Sequence, residues 1–325
     1  MAEKRIHFDV CIGNPPYQVS DGGNNASATP VYNLMIDEIK KMDPENIVMI
    51  IPDRWFSGGR GLDKFRQNMI NDSHIQKIVD YQNANECFPG MDISAGICYF
   101  LWNKKYLGDC RLVNIENGQV DEKTRRLNQF PILVRSNKAI TILEKVVNHG
   151  CPMLSNYVSS QKPFGLGTYA RPDETGELVL RWNKGRGPIS KEKVIAGHDL
   201  ISKWNVIVSR VFFEHAGKSD KDGMYRVISV LDVLNPNEVC SETYVVVNSF
   251  DSEEEARNLE KYLKTKFVRY LILQATSSIM ITKQSFLFVP VLNFKESWDD
   301  EKLYKEFNLN EAEIREIESR IKEMN

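Results

Sequence analysis

FDVCIGNPPYQ, residues 8–18, is the stretch of this sequence that decides the fold. Residues 8–12 form an apolar run that ends at Gly13, a pattern that predicts a strand buried on both faces of a parallel sheet. The next four residues, NPPY, follow this strand directly. They would therefore lie at its C-terminal end, which is where open α/β sheets bind their ligands.

The NPPY segment consists of Asn14, Pro15, Pro16 and Tyr17, and its hydrogen-bonding chemistry is unusual. Two consecutive prolines fix φ and remove two backbone donors, so the segment accepts hydrogen bonds and donates few. An exocyclic amine is the matching partner. If the Asn14 side-chain oxygen and the Pro15 carbonyl bind its two N–H groups, its lone pair is directed out of ring conjugation toward an electrophile. Tyr17 would offer an aromatic face to the ring, although a plain tight turn is the other interpretation.

The segments that follow alternate between helical and strand patterns. Helical periodicity covers residues 31–42, IVMII at 47–51 is an unalternating strand, and a glycine-rich turn at 58–61 precedes a second helix at 62–71. Further strands are predicted at 75–81 and 93–102. Roughly the first 105 residues therefore predict the α/β class, with part of a doubly wound, Rossmann-like sheet.

The pattern changes after this sheet, and a second domain of the α+β class is predicted. One long helix is expected to follow Ser252, which would form a capping box with Glu255, and to continue through Tyr270. A last helix would begin at Asn310, with Glu313 completing its cap. We therefore predict a first domain at 1–110, a connector at 111–135 and a second domain at 136–325.

The composition is that of a soluble globular protein large enough for two domains, because 42% of the 325 residues are apolar and 26% are charged. No apolar run is long enough to span a membrane and the N-terminus lacks an apolar signal core, which predicts a cytoplasmic protein. The six cysteines are scattered, without C-x-x-C pairs or histidines at ligand spacing, so no metal site is expected.

The net charge of −2 is distributed unevenly along the chain. Residues 1–110 carry a net −3, residues 111–226 a net +7 and residues 227–325 a net −6. A basic middle third can bind a phosphate backbone, although a surplus of this size also occurs on ordinary solvated surfaces. Charge alone leaves both interpretations open.

These motifs carry a resemblance to a known family. FDVCIGNPPYQ resembles motif IV of the amino-methyltransferases that use S-adenosylmethionine, and Asn14 at its first position is the form associated with adenine N6 rather than cytosine N4. IVMIIPDRWFSGGRGLDKFRQNM (47–69) resembles the next strand and helix of DNA adenine methyltransferases, and NECFPGMDISAGICYF (85–100) resembles their motif VIII. The resemblance implies that Phe88 packs with Tyr17 on a flipped base, with a core role as the alternative for Phe88. The polar segment 18–30 would be either a linker or a lid.

The rest of the chain resembles the target-recognition region of type IIG and related restriction-modification methyltransferases, through SSQKPFGLGT (159–168), SETYVVV (241–247) and the segment 286–318. Methyltransferases that act on protein glutamine also carry NPPY but end soon after the first sheet, so the resemblance implies double-stranded DNA as the substrate. The candidate DNA contacts are basic residues in glycine-rich segments: Arg181, Lys184, Arg186, Lys191, Lys193 and Arg210, with Lys218 and Lys221. Any one of them is more often a phosphate contact or a solvated residue than a base reader.

One motif that this family needs is missing from the sequence. Its members have a strand that ends in an F-x-G-x-G-like loop at the cofactor, and FGLGT at 164–168 has the wrong spacing, so we interpret FGLGT as a turn. The sheet would begin at its fourth strand and leave an apolar edge unpaired. The cofactor half is then supplied by a partner chain, supplied by a preceding segment of a longer polypeptide, or lost.

The sequence as a whole predicts the catalytic-loop half and the recognition domain of a site-specific DNA adenine-N6 methyltransferase from a restriction-modification system. The cofactor would be S-adenosylmethionine, at a site that this chain completes only in part, and no metal is required. The alternative is a catalytically inactive subunit that acts as a DNA-binding or assembly module.

Overall fold

The computed structural model describes residues 7–19, 29–91, 93, 96–214, 219–276 and 280–324. The chain divides into two compact units, residues 1–137 and residues 138–325. Each unit contains a hydrophobic core of its own. Within the described residues, no helix is both long enough and apolar enough to cross a membrane.

The first unit is built on a six-stranded sheet with two helices. Its elements are β1 (Val10–Gly13), β2 (Gln18–Val19), β3 (Thr29–Pro30), α1 (Tyr32–Lys41), β4 (Asn46–Pro52), α2 (Asp63–Ile70), β5 (Ile75–Tyr81), β6 (Ile97–Asn103), β7 (Cys110–Glu116) and β8 (Gln119–Arg125). The order in the sheet is β1-β4-β6-β5-β7-β8, and β2 pairs separately with β3.

The sheet is mixed. β1 is parallel to β4 and β5 is parallel to β7, whereas β6 runs antiparallel to both of its neighbours. Antiparallel strands are common in otherwise doubly wound sheets. The predicted α/β class is confirmed, but the expected parallel arrangement holds for only part of the sheet.

β4 shows how the sequence builds this core. Alternate residues of a strand point to the same face, and Ile47, Met49 and Ile51 are all buried in the core. The helices contribute residues four apart, which lie on one helical face, as Phe65 and Met69 of α2 do. The same core receives Tyr32 and Ile36 from α1.

The burial of β1 differs from the prediction. β1 lies at the edge of the sheet, and Val10 and Ile12 are 52% and 77% exposed. Only its other face meets the core, where the partly buried Cys11 packs. Among the described residues, β1 pairs with β4 alone, so one of its edges has no strand beside it. The expectation of burial on both faces was therefore wrong.

The sheet also continues beyond residue 110, where the sequence led us to end the first domain. Residues 111–125, expected in a connector, belong to β7 and β8, which pair in register from Cys110 with Arg125 to Glu116 with Gln119. The first unit ends only at Asn137. The hairpin was missed because β8 is polar, with five of its seven residues exposed.

The second unit contains two three-stranded sheets and five α-helices in its described residues. Its elements are α3 (Ala139–Asn148), β9 (Leu178–Trp182), β10 (Gly185–Ile189), β11 (Trp204–Ser209), β12 (Leu231–Leu234), β13 (Glu238–Cys240), β14 (Tyr244–Phe250), α4 (Glu253–Lys264), α5 (Lys266–Ala275), α6 (Asp300–Glu306) and α7 (Glu311–Arg320). The sheet orders are β10-β9-β13 and β12-β11-β14. Leu180 of the first sheet and Ile207 of the second lie in the same core.

The helices of the second unit correct one prediction and confirm another. The single helix expected through Tyr270 is two helices, because Thr265 is extended (φ −61°, ψ 150°) and its side chain accepts a hydrogen bond from the Val268 N–H group. Ser252 precedes α4, but its side chain makes no capping hydrogen bond. The capping box of Asn310 and Glu313 at the start of α7 is confirmed.

Candidate functional site

The NPPY segment follows β1 directly and lies at its C-terminal end. Pro15 is buried, Tyr17 is half-buried, and Asn14 and Pro16 are exposed. The Tyr17 carbonyl accepts a hydrogen bond from the Val31 N–H group at 3.3 Å, which ties the segment to the start of α1. The segment is therefore anchored at both ends while its polar groups stay accessible.

The Asn14 side chain is hydrogen-bonded to the Tyr17 hydroxyl, so the amide and the aromatic ring are positioned together. Partial burial raises the pKa of the Tyr17 hydroxyl, and the hydrogen bond with Asn14 opposes this rise. Tyr17 is consequently a neutral phenol at physiological pH. Among the described residues, no donor bonds to the Pro15 carbonyl oxygen, which leaves this acceptor available to a ligand.

Phe88 lies on a short segment that is close to the NPPY segment. The Tyr17 hydroxyl is within electrostatic range of the Cys87 thiol, the immediate neighbour of Phe88. The Phe88 N–H group donates to the Ala84 carbonyl at 2.7 Å, which fixes the local backbone. Phe88 is half-buried. Most of the predicted lid, residues 20–28, lies outside the described residues.

Three charged residues missed by the sequence reasoning lie beneath this region. Asp53 directly follows β4 and Asp80 lies near the end of β5, and both are buried. The Arg135 guanidinium forms an ion pair with each carboxyl group, at 2.9 Å from Nε to Oδ2 for Asp80. The Asp53 N–H group also donates to Gly96, just before β6. The sequence signal that could have identified this cluster is an aspartate at the C-terminal end of each of two apolar strands.

The pKa values of both carboxyl groups in this cluster are raised. Burial raises the pKa of Asp53 well above its ordinary value, Arg135 opposes the rise, and the charge of Asp80 adds to it. Burial also raises the pKa of Asp80, against the effects of Arg135 and Asn114. A single guanidinium therefore faces two carboxyl groups that do not both ionise easily.

The glycine-rich turn at 58–61 lies beside the guanidinium of Arg66. The Arg66 guanidinium donates from Nε to the Trp55 carbonyl at 2.7 Å and from Nη2 to the Gly58 carbonyl at 2.5 Å. Arg66 is buried, and its role is to close this turn. The F-x-G-x-G-like loop that the sequence lacks is also not found among the described residues of the first unit.

Two of the candidate DNA contacts are neutralised within the second unit. Arg181 donates from Nε to Asp232 at 2.9 Å, and Arg186 donates from Nη2 to both oxygens of Asp232 at 3.0 Å. Arg186 also binds Glu238, at 3.2 Å. These arginines hold the β9–β10 hairpin against β12 and β13, so fewer of their charges face outward than the sequence indicated.

The other candidate DNA contacts differ in exposure and in whether their charges are paired. Lys193 forms an ion pair with Asp173, and Arg210 is half-buried with Nη1 3.4 Å from the Glu242 carbonyl. Lys184, at the turn between β9 and β10, is exposed, as are Lys191 and Lys221. Lys218 lies outside the described residues. Within the part of the chain that the structure describes, no group of three or more His, Cys, Asp or Glu residues is arranged to hold a metal ion.

Comparison with known proteins identifies relatives of the first unit. Residues 2–88 match the family model of the Eco57I restriction-modification methylases. A Mycoplasma pneumoniae protein described as an uncharacterized adenine-specific methylase is 29% identical over 150 residues, which cover 43% of this chain and 35% of that protein. The chain therefore spans about a third of the length of this curated relative.

Two solved structures are similar over most of the chain. The type IIL restriction-modification enzyme MmeI, solved in complex with DNA, is 10% identical with a TM-score of 0.48, over 86% of this chain and 46% of that chain. The type IIG restriction endonuclease BpuSI is 11% identical with a TM-score of 0.32, over 87% of this chain and 44% of that chain. The stretch that matches the Eco57I restriction-modification methylases, residues 2–88, includes Asn14 to Tyr17 and Phe88.

Proposed function

We propose that this chain is the catalytic-loop half and the DNA recognition domain of an S-adenosylmethionine-dependent DNA adenine-N6 methyltransferase of a restriction-modification system. The observation that carries the proposal is the NPPY segment at the C-terminal end of β1, where the Asn14 amide is hydrogen-bonded to Tyr17 and no donor among the described residues bonds to the Pro15 carbonyl. The match of residues 2–88 to restriction-modification methylases supports it.

The NPPY segment would act on an adenine that has been flipped out of the duplex, because N6 is out of reach inside the stack. The two N–H groups of N6 would donate hydrogen bonds to the Asn14 side-chain oxygen and the Pro15 carbonyl. These two bonds favour a geometry in which the N6 lone pair is drawn out of conjugation with the ring. Tyr17 and Phe88, both half-buried, would hold the ring by stacking, which orients N6 without any covalent intermediate.

The cofactor half would come from outside this chain. S-adenosylmethionine supplies the methyl group when bound, and the F-x-G-x-G-like loop expected at the cofactor is missing from this sequence. The free edge of β1, with Val10 and Ile12 exposed, is the place at which further strands would complete the sheet. We propose that a partner chain or a preceding segment pairs there and brings the cofactor next to Asn14.

The test is the Asn14→Ala variant of the enzyme reconstituted with its cofactor half. Methyl transfer to a duplex is measured by mass spectrometry of the hydrolysed nucleosides, which also identifies the methylated base. Loss of one positioned acceptor of this kind lowers the rate by about 10²-fold or more, so we expect at least that loss for Asn14→Ala, with duplex affinity unchanged.

The matched control is Asn128→Ala, since Asn128 is an exposed asparagine of the same unit whose amide binds the side chain of Asn71. We expect the control to retain full activity. Unchanged methylation in Asn14→Ala would contradict the proposed role, and methylation of cytosine or of a protein glutamine would contradict the proposed substrate.

A further inference from the structure

The FGLGT segment, residues 164–168, is a turn on which two apolar side chains rest. A Cβ atom on Gly165 would lie 2.2 Å from Cγ1 of Ile195, and a Cβ atom on Gly167 would lie 2.5 Å from Cε1 of Tyr169. Gly165 also has a φ of +76°, which favours glycine. Both glycines are therefore needed to let Ile195 and Tyr169 lie directly against the backbone of this turn.

Both side chains are open to solvent. Tyr169 is 80% exposed and Ile195 is 75% exposed. Single exposed apolar residues are common on protein surfaces, but here two neighbouring ones rest on the backbone of one tripeptide, residues 165–167. We call the exposed surface of Tyr169 and Ile195 the apolar platform. Its apolar area would gain free energy on contact with a partner.

The backbone beneath the platform is held in place by Glu242. Its Oε1 accepts from the Thr168 N–H group at 3.1 Å, and its own N–H group donates to the Leu166 carbonyl at 2.8 Å. Arg171 closes the other end of the loop, because its Nη1 donates to the carbonyls of Thr168 and Ala170, each at 2.8 Å. A surface ordered in this way loses little conformational freedom on binding.

The charge around the platform selects the kind of partner. Residues 161–203 contain eight lysines and arginines and five aspartates and glutamates, and four of the eight cations are paired with carboxylates: Lys162, Arg181, Arg186 and Lys193. Arg171 is exposed and its guanidinium lies 4.9 Å from the ring centroid of Trp182, while Lys191 is exposed with no ion-pair partner among the described residues. Duplex DNA offers both complements, since phosphates attract cations and base edges, including the thymine methyl group, contact apolar side chains.

We propose that the apolar platform of Tyr169 and Ile195 contacts base edges of duplex DNA and contributes to the choice of target sequence. The inference rests on the proposed function of the second unit in DNA recognition. It assigns base contact to two side chains, and leaves phosphate contact to the surrounding cations.

The test begins with the full 325-residue chain and a pool of duplexes with a randomised central segment. Repeated selection at low salt and sequencing define the preferred duplex, and fluorescence anisotropy then compares its affinity with that of a scrambled duplex. We expect Tyr169→Ala and Ile195→Ala each to reduce the ratio of the two affinities by about tenfold, with little change for the scrambled duplex. Circular dichroism melting confirms that the exposed positions tolerate alanine.

The matched control is Tyr157→Ala, a tyrosine of the same unit that is 49% exposed and lies outside the platform. It should leave the affinity ratio unchanged. If the wild type prefers one duplex and both platform variants keep that preference, the inference is wrong while DNA recognition stands. A wild type that binds all duplexes equally also overturns it, and a wild type that binds no duplex at low salt overturns the proposed function as well.

Discussion

Asp232 binds two arginines that the sequence led us to place in a DNA interface. Its carboxylate accepts from Arg181 and Arg186, and although burial works in the opposite direction, these two arginines hold the pKa of Asp232 below its ordinary value. Arg181 also lies over the Tyr244 ring, with Cζ 5.1 Å from its centroid. Removing either arginine would therefore disturb the hairpin before it disturbed any phosphate contact.

Lys184 and Lys191 are the better probes of phosphate binding, because both are exposed and neither has an ion-pair partner among the described residues. Each phosphate contact contributes about 0.9 to the slope of log affinity against log salt. We expect the Lys184→Ala/Lys191→Ala double variant to flatten that slope by up to about 1.8 in anisotropy titrations on duplex DNA.

Lys193→Ala is the control for this measurement, since the Lys193 ammonium is already paired with Asp173. It should leave the slope nearly unchanged. A double variant with the wild-type slope, alongside a flattened slope in Lys193→Ala, would show that phosphate contact lies elsewhere.

For single residues, the sequence is informative where the chemistry involves neighbours along the chain. Asn14 to Tyr17 could be identified because two prolines and their neighbours define the acceptor array within four residues. Asp232 could not be assigned, because it is 51 residues from Arg181 and 46 from Arg186 along the chain. No local pattern shows which cation a distant carboxylate will neutralise.

Among the secondary-structure elements, three strands, β4, β5 and β6, are connected through Asp53. It follows β4, forms an ion pair with Arg135 beside Asp80 of β5, and donates to Gly96 before β6. Burial raises its pKa well above 3.8, so the folded protein holds a proton that the unfolded chain releases above about pH 4. The free energy of unfolding should therefore fall as pH rises from there to the folded-state pKa.

The Asp53→Asn variant cannot ionise at this position, and we expect it to lack that fall. Urea unfolding at a series of pH values from 4 upward would compare it with the wild type. Asp109→Asn, at an exposed position of the same unit, is the control and should keep the wild-type dependence. Identical pH dependence in Asp53→Asn and wild type would mean that the Asp53 carboxyl ionises normally in the folded protein.

Thr265 sets the boundary between α4 and α5. Its hydroxyl donates to the Tyr262 carbonyl at 2.7 Å and accepts from the Val268 N–H group at 3.3 Å. We expect Thr265→Ala to lower the free energy of unfolding by about 1 kcal/mol, the usual cost of a lost N-cap. Ser252→Ala is the matched control, because the Ser252 side chain makes no cap bond, and an equal loss in both variants would argue against capping as the cause.

The elements also show how far periodicity alone predicts a fold. β5 has the predicted bounds, α1 and α2 lie within one residue of theirs, and the Asn310 capping box forms as expected. The break at Thr265 was missed because the apolar spacing continues across it. The direction of β6 was missed because an apolar run predicts a strand without stating which way the chain runs through the sheet.

The molecule as a whole contains the NPPY segment, and no glycine loop for the cofactor is found in its described residues. We therefore expect the isolated chain to bind S-adenosylmethionine weakly or not at all in calorimetric titration. The same titration on the chain reconstituted with its cofactor half should show saturable binding. Saturable binding by the isolated chain would mean that a cofactor site exists within this sequence.

The free edge of β1 has a practical consequence for handling the protein. An edge strand that pairs on one side only among the described residues, with Val10 and Ile12 exposed, is a template for pairing with any other extended chain, including a second copy of itself, and such edges lead to aggregation. Asp9, whose side chain is 93% exposed, places a negative charge beside this edge and opposes such pairing. Solubility should therefore depend on co-production of whatever strand covers β1, so that production of the chain alone favours precipitation.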